Sequence, residues 1–366
     1  MHDPRIDRLA EVLIRYSLNV QAGQLLRLRG PVSATPLIRA LYRETVKAGA
    51  HPLLRLSLDG LDEIFFQHAN DDQLGYVPQV TRDEVEAIDR DMYIIADENT
   101  RSLSGVDTAK MAARRAAMSP MSKRLMERTA LDQMRWCLTL FPTNALAQEA
   151  EMSLNDYADF VFAAGKLDQA DPVAAWQAQR ADQERHIQRL SAAEHIHIVA
   201  PGTDLHYYVK GRSWVNCAGD RNFPDGEVFT GPEEQKTHGY ITYSFPAIYM
   251  GREVSGIRLE FADGKVVKAT ADKGQELLDS LLGMDEGARR LGEVAFGTNY
   301  GIQKFSRQIL FDEKIGGTVH LALGAAYPET GCSNQSALHW DMICDLRQGG
   351  VVTADGQVIH RDGHFV

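Results

Sequence analysis

The chain reads as two domains of different class: an α/β N-terminal domain with a mostly parallel sheet over residues 1–192, and an α+β domain over residues 193–366. Three observations predict this. The length of 366 residues exceeds what one domain of roughly 100–200 residues usually holds. In the first half, segments with strand period alternate with segments of helix period, the order that builds a parallel sheet. Beyond residue 195, short strands and glycine-bearing turns take over.

The first helix is set by Ile6, Leu9, Val12, Leu13 and Tyr16, which share one face at helical spacing. After a turn at Gly23, an alternating strand spans 24–29, a helix runs through 36–42 and a second strand spans 52–56. Two more apolar runs, 92–96 and 136–141, continue the pattern with helical segments between them. The domain closes on a long helix, with Asp171 as N-cap, Pro172 at the first helical position and Leu190 near its end. The second domain opens with a strand at 196–199. A hairpin then joins 257–261 to 266–269 across Asp263-Gly264, residue types suited to the left-handed conformations of a two-residue turn. Another hairpin turns at Asp355-Gly356, and helices are expected at 275–282 and 303–310.

Composition narrows the function. With 44% hydrophobic and 24% charged residues, the whole chain is expected to fold. A net charge of −11, without any cluster of Lys and Arg, argues against a nucleic-acid partner. The polar start, Met1 to Arg5, lacks the blocks of a secretory signal, and no apolar run approaches the ~20 residues of a membrane span, so no membrane partner and a cytoplasmic location are expected. Cys137, Cys217, Cys332 and Cys344 are scattered without CxxC spacing and are expected as reduced thiols.

Hard, metal-capable side chains concentrate in the C-terminal half. Pro224 and Gly226 fix a turn that presents Glu227 as a strand begins. Glu293 lies inside the apolar run LGEVAFG, where a carboxylate needs water or a cation; a metal is one such cation, and Arg289 or Arg290 another. Glu313 precedes His320, which sits mid-strand among small and branched residues, and Tyr327 follows before Pro328. In SALHWDMI the strand period of two puts His339 and Asp341 on one face, where the pair can chelate an ion or the Asp can orient the His. So many carboxylates do not suit a structural zinc site, which prefers Cys and His. Oxygen donors with some imidazole suit a pair of Zn, Co, Mn or Mg ions.

The blocks PDGEVFT, LGEVAFG, DEKIGGTVHLALG and SALHWDMI occur in the order shown by the metallo-aminopeptidases of the aminopeptidase T and aminopeptidase S type. The N-terminal half resembles the same family through YSLNVQAGQLLRLRG, KAGAHPLLR, IIADENTRSLSGVD and MSLNDYADFV. The resemblance implies a homodimer that removes the N-terminal residue from peptides with a free N-terminus, using two divalent metal ions per chain. It also implies metal ligands at Glu227, Glu293, Glu313, His320, His339 and Asp341, and an active-site tyrosine at Tyr327. Glu293 is the preferred carrier of the proton to the leaving amine, ahead of Glu313. A different class stays open: His320, His339 and Asp341 as a facial triad for one ferrous ion, in a ring-cleaving dioxygenase of dihydroxypyridine-like substrates, which resemble this family too.

Overall fold

The computed structural model describes residues 3–366, and the chain divides into two compact units. The first comprises the chain up to Val173 together with Gly219–Phe223. Its sheet has five strands, all parallel, in the order His51–Ser57, Leu25–Pro31, Arg90–Ile95, Arg135–Leu140 and Asn222–Phe223. Leu26 and Leu28 are fully buried, while Arg27 and Arg29 between and beside them both reach Asp91, at 2.8 and 2.7 Å. The α/β expectation is met. The opening helix, Pro4–Val12, widens into an i→i+5 turn over Leu13–Ser17, and Thr35–Lys47 and Thr108–Ala130 are among the helices between strands.

The second unit comprises Ala174–Ala218 and Pro224–Val366. An eight-stranded sheet runs in the order Lys265–Thr270, Arg258–Ala262, His238–Thr242, Thr203–Tyr208, His195–Ala200, Val351–Ala354, Gln357–Arg361, His364–Phe365. A five-stranded sheet runs His339–Asp345, Thr318–Gly324, Leu291–Gly297, Glu227–Thr230, Val215–Cys217. All recorded pairings in both are antiparallel, and one apolar core takes residues from both sheets, among them Ile198, Tyr207, Ile241 and Leu259 from the first and Val294, Phe296, Leu321 and Trp340 from the second.

Two details depart from the sequence reading. The helix Pro172–Ser191 was expected to close the first unit at residue 192, but from Ala174 onward it groups with the second, because Ile187 and Leu190 pack in that unit's core. Conversely, Asn222–Phe223 pairs with Leu138 and Thr139 and belongs to the first. The helix expected at 303–310 does not form. Only Ile309–Asp312 is helical: Arg307 takes a φ of +60°, and Ser306 turns its backbone N–H and its hydroxyl to Asp312 Oδ1 at 2.7 and 2.8 Å. The helix at Gln275–Leu282 and both hairpins stand, with Asp263 and Gly264 at φ of +49° and +74°. All four cysteines are free thiols, and no helix among the described residues is long and apolar enough to cross a membrane.

Candidate metal centre

Strand period decides where the polar residues of the five-stranded sheet go. Val228, Val294, Phe296, Val319, Leu321, Leu323, Trp340 and Met342 enter the shared core. The alternate residues Glu227, Glu293, His320, His339 and Asp341 therefore stand together on the sheet's other face. Register then sets their spacing. Glu293 lies opposite Ala322, which lies opposite Asp341; His320 lies opposite Ala295; Glu227 lies opposite Gly297; and His339 lies opposite Gly324. Each polar side chain thus has a glycine or alanine opposite it on one neighbouring strand, which leaves room on that side for the polar groups to converge. A bulge between Leu291 and Glu293 puts Glu293 in phase. Gly226 holds a φ of +126°, and a Cβ there would lie 2.7 Å from that of Asn299, so the turn before Glu227 demands glycine.

Glu293 sits between the histidines. Its Oε1 lies 3.4 Å from His320 Nε2 and its Oε2 lies 3.4 Å from His339 Nε2. His320 Nε2 is also 3.5 Å from Glu227 Oε2, and His339 Nε2 is 3.6 Å from Asp341 Oδ1. The second ring nitrogen of each histidine is tied to main chain: His320 Nδ1–H donates to the Glu313 carbonyl and His339 Nδ1–H to the Ala325 carbonyl, both at 2.9 Å. Such anchoring fixes the orientation of each ring and turns its Nε2 towards the carboxylates.

Four donor sets at this centre have ligand atoms within 4.8 Å of one another: Glu227, Glu293 and His320; Glu293, His339 and Asp341; Glu313, His320 and Asp341; and Cys217, Asp225 and Glu227. Glu293 belongs to the first two. No hydrogen-bond donor among the described residues satisfies Glu227 Oε2 or Asp341 Oδ1, although both atoms are buried. A buried carboxylate oxygen without a donor is costly, and a cation is what removes that cost. The residues fit a divalent metal centre.

The electrostatics agree. Burial pushes the Glu227 carboxyl up to about 8, against the pull of Lys314 and His320. Burial likewise raises Asp341, to about 6. For Glu293 the burial cost is outweighed by the two imidazoles, which hold it down at about 2. The carboxylates in turn overcome burial at the histidines, lifting His320 to about 10 and His339 to about 9.

Tyr327 stands at the rim, 40% exposed, its ring centroid 5.3 Å from those of both His339 and Phe229. Burial and the nearby carboxylates push its hydroxyl above the usual value, so it keeps its proton. Glu313 follows the short helix Ile309–Asp312 rather than lying on the sheet, and its carboxylate contacts Lys314 Nζ. Lys314 is the residue that the sequence reading passed over. It is fully buried, with Nζ 3.5 Å from Glu227 Oε1 and 3.9 Å from Asp225 Oδ1. A lysine between a glutamate and an isoleucine ahead of two glycines reads as a surface turn; only its three acidic neighbours, two of them about ninety residues away in sequence, mark it as part of the centre.

Comparison with known proteins agrees with this chemistry. Residues 2–365 match the family described as Thermophilic metalloprotease (M29). Aminopeptidase 2 of Geobacillus stearothermophilus is 30% identical, over 99% of this chain and 98% of that one. Aminopeptidase T of Thermus thermophilus is 29% identical, over 88% of this chain and 85% of its own. The solved structure of wild-type AmpT from Thermus thermophilus superposes with a TM-score of 0.87 at 26% identity, covering 99% of both chains. A 2,5-dihydroxypyridine dioxygenase from Pseudomonas putida shares the fold alone, with a TM-score of 0.58 at 13% identity. The family match and the aminopeptidase relatives define a metal-dependent hydrolase. The chain belongs to the M29 family of metalloproteases, and the resemblance read from its sequence blocks extends along its whole length.

Proposed function

We propose that this enzyme is an aminopeptidase that hydrolyses the first peptide bond of substrates with a free N-terminus, at a centre whose two donor sets, with Glu293 in common, would hold two divalent ions. The observation that carries the reading is the division of Glu293 between two donor sets, one oxygen towards His320 and the other towards His339. Glu227 and His320 would hold one ion and His339 and Asp341 the other, with Glu313 completing the set. Bound there, divalent ions such as Zn, Co, Mn or Mg would supply Lewis acidity and bring the pKa of water towards neutrality. Tyr327, still protonated, would donate to the developing oxyanion. Glu293 is the proposed proton carrier to the leaving amine; full turnover by Glu293→Gln with intact metal content would rule that role out.

A cavity of about 180 Å³ reaches His339 and Asp341 and is lined by apolar side chains, among them Ala247, Tyr249, Phe305, Ile309 and Ile343, together with the polar Arg307 and Asp312. It suits an apolar side chain on the residue to be removed. The mononuclear ferrous reading is less well supported, since His320 and His339 fall in different donor sets and that triad makes no use of Glu227 and Glu293, which belong to the sets containing the two histidines. The homodimer and cytoplasmic location implied by the family complete the proposal; sedimentation of the purified chain tests the former. The activity is tested by release of free leucine from a leucine-initiated peptide. Chelator-stripped protein should be inactive and regain activity with Zn, Co or Mn, and failure with all three would overturn the assignment.

A further inference from the structure

The eight-stranded sheet also has a face turned from the shared core, and four histidines collect there. Strand period sends Ile196, Ile198, Leu205 and Tyr207 inward and puts His195, His197, Asp204 and His206 on the opposite face. In the antiparallel register His197 lies directly opposite His206, and His206 directly opposite His238, so one row of imidazoles crosses three strands. The His197 and His206 rings stack with centroids 3.8 Å apart. Asp204 Oδ1 lies 2.8 Å from His197 Nε2 and 3.4 Å from His206 Nε2. The other nitrogen of His206, Nδ1, is 3.0 Å from His195 Nε2.

One carboxylate oxygen thus faces two imidazole nitrogens, and the three donor atoms lie within 4.8 Å of one another. We propose that His197, Asp204 and His206 form a second metal site, for a divalent transition ion of the zinc type, separate from the hydrolytic centre. Two imidazoles and one carboxylate favour Zn, Ni or Cu over Mg or Ca, which prefer all-oxygen surroundings. The side chains are 26%, 50% and 27% exposed, so an ion can enter from solvent and complete its coordination with water. His195 orients the site from behind: with the His206 proton on Nδ1 and donated to His195 Nε2, the His206 Nε2 lone pair faces the ion. Bound there, the ion links the adjacent strands His195–Ala200 and Thr203–Tyr208 and braces the sheet. The hydrolytic residues lie on the outward face of the other sheet, so this site stands whether or not the peptidase reading does.

The test is the zinc content of the full chain, stripped with chelator and then dialysed against Zn²⁺, measured beside the double variant His197→Gln/His206→Gln. The variant should retain one zinc fewer per chain, with leucine release and the melting temperature of the stripped protein unchanged. Zinc should also raise the melting temperature more in the parent than in the variant. Equal zinc content in the two proteins would overturn the proposal. So would a loss of zinc accompanied by a proportional loss of leucine release, which would place the missing ion in the hydrolytic centre.

Discussion

Replacing Tyr327 with Phe removes one hydroxyl and keeps the ring that meets Phe229 and His339, each with centroids 5.3 Å away. The packing of the rim should survive. The carboxylates and imidazoles of the centre are untouched by the substitution, so metal content should be unchanged. What is lost is a donor to the oxyanion, and removing such a donor costs about 10²–10³ in kcat when water is excluded. At 40% exposure the tyrosine is partly wetted, which places the loss at the lower end, near 100-fold or about 2.7 kcal/mol in the barrier. The assay is steady-state release of leucine by Tyr327→Phe at saturating metal, with kcat and KM resolved. A fall in kcat with KM little changed supports a role in the transition state. An unchanged kcat, or a rise in KM alone, refutes the reasoning and makes Tyr327 a wall of the pocket.

Further consequences follow from the buried charges. Lys314→Met removes the cation facing Asp225, Glu227 and Glu313, and stripping one partner from a buried ionic cluster costs about 3–5 kcal/mol; denaturant unfolding of the metal-free variant should show that loss, and added metal should recover much of it. In the metal-free chain, His320 and His339 are raised from 6.5 to about 10 and about 9, so their stabilising contribution is complete below about pH 6.5 and is lost as pH rises through 9 to 10. The same shifts mean that metal must displace protons, so affinity should rise with pH and calorimetry in buffers of different ionisation enthalpy should detect proton release; pH-independent binding would contradict it. Filling the cavity with Ile309→Trp should lower kcat/KM for a leucine-initiated peptide about tenfold relative to an alanine-initiated one, the scale of a lost apolar contact.

Local periodicity made much of this molecule legible. The strands around Leu26, Leu28, Met92 and Leu140 and the Asp263-Gly264 hairpin follow from alternation and turn chemistry, because neighbours in sequence decide them. The shared face of His339 and Asp341 follows from the period of two in the same way. What adjoins that face does not, since Glu293 meets His320 and His339 only through antiparallel register and one bulge. The two-residue strand Asn222–Phe223 is too short to carry a pattern of its own. At 303–310 the helical spacing of apolar residues was outcompeted by Asp312 accepting from Ser306. The burial of Lys314 likewise depends on chain segments far apart in sequence.

If two ions share Glu293, activity must follow metal stoichiometry, and a titration of one against the other is decisive. It is best made in the His197→Gln/His206→Gln background, where the outer-face histidines cannot add to the count. Stripped protein titrated with Mn²⁺ or Zn²⁺ should reach full leucine release at two ions per chain, and Glu293→Gln should weaken the binding of both. Full activity at one ion per chain, or loss of a single ion in Glu293→Gln with the other held as tightly as before, would contradict the bridged pair.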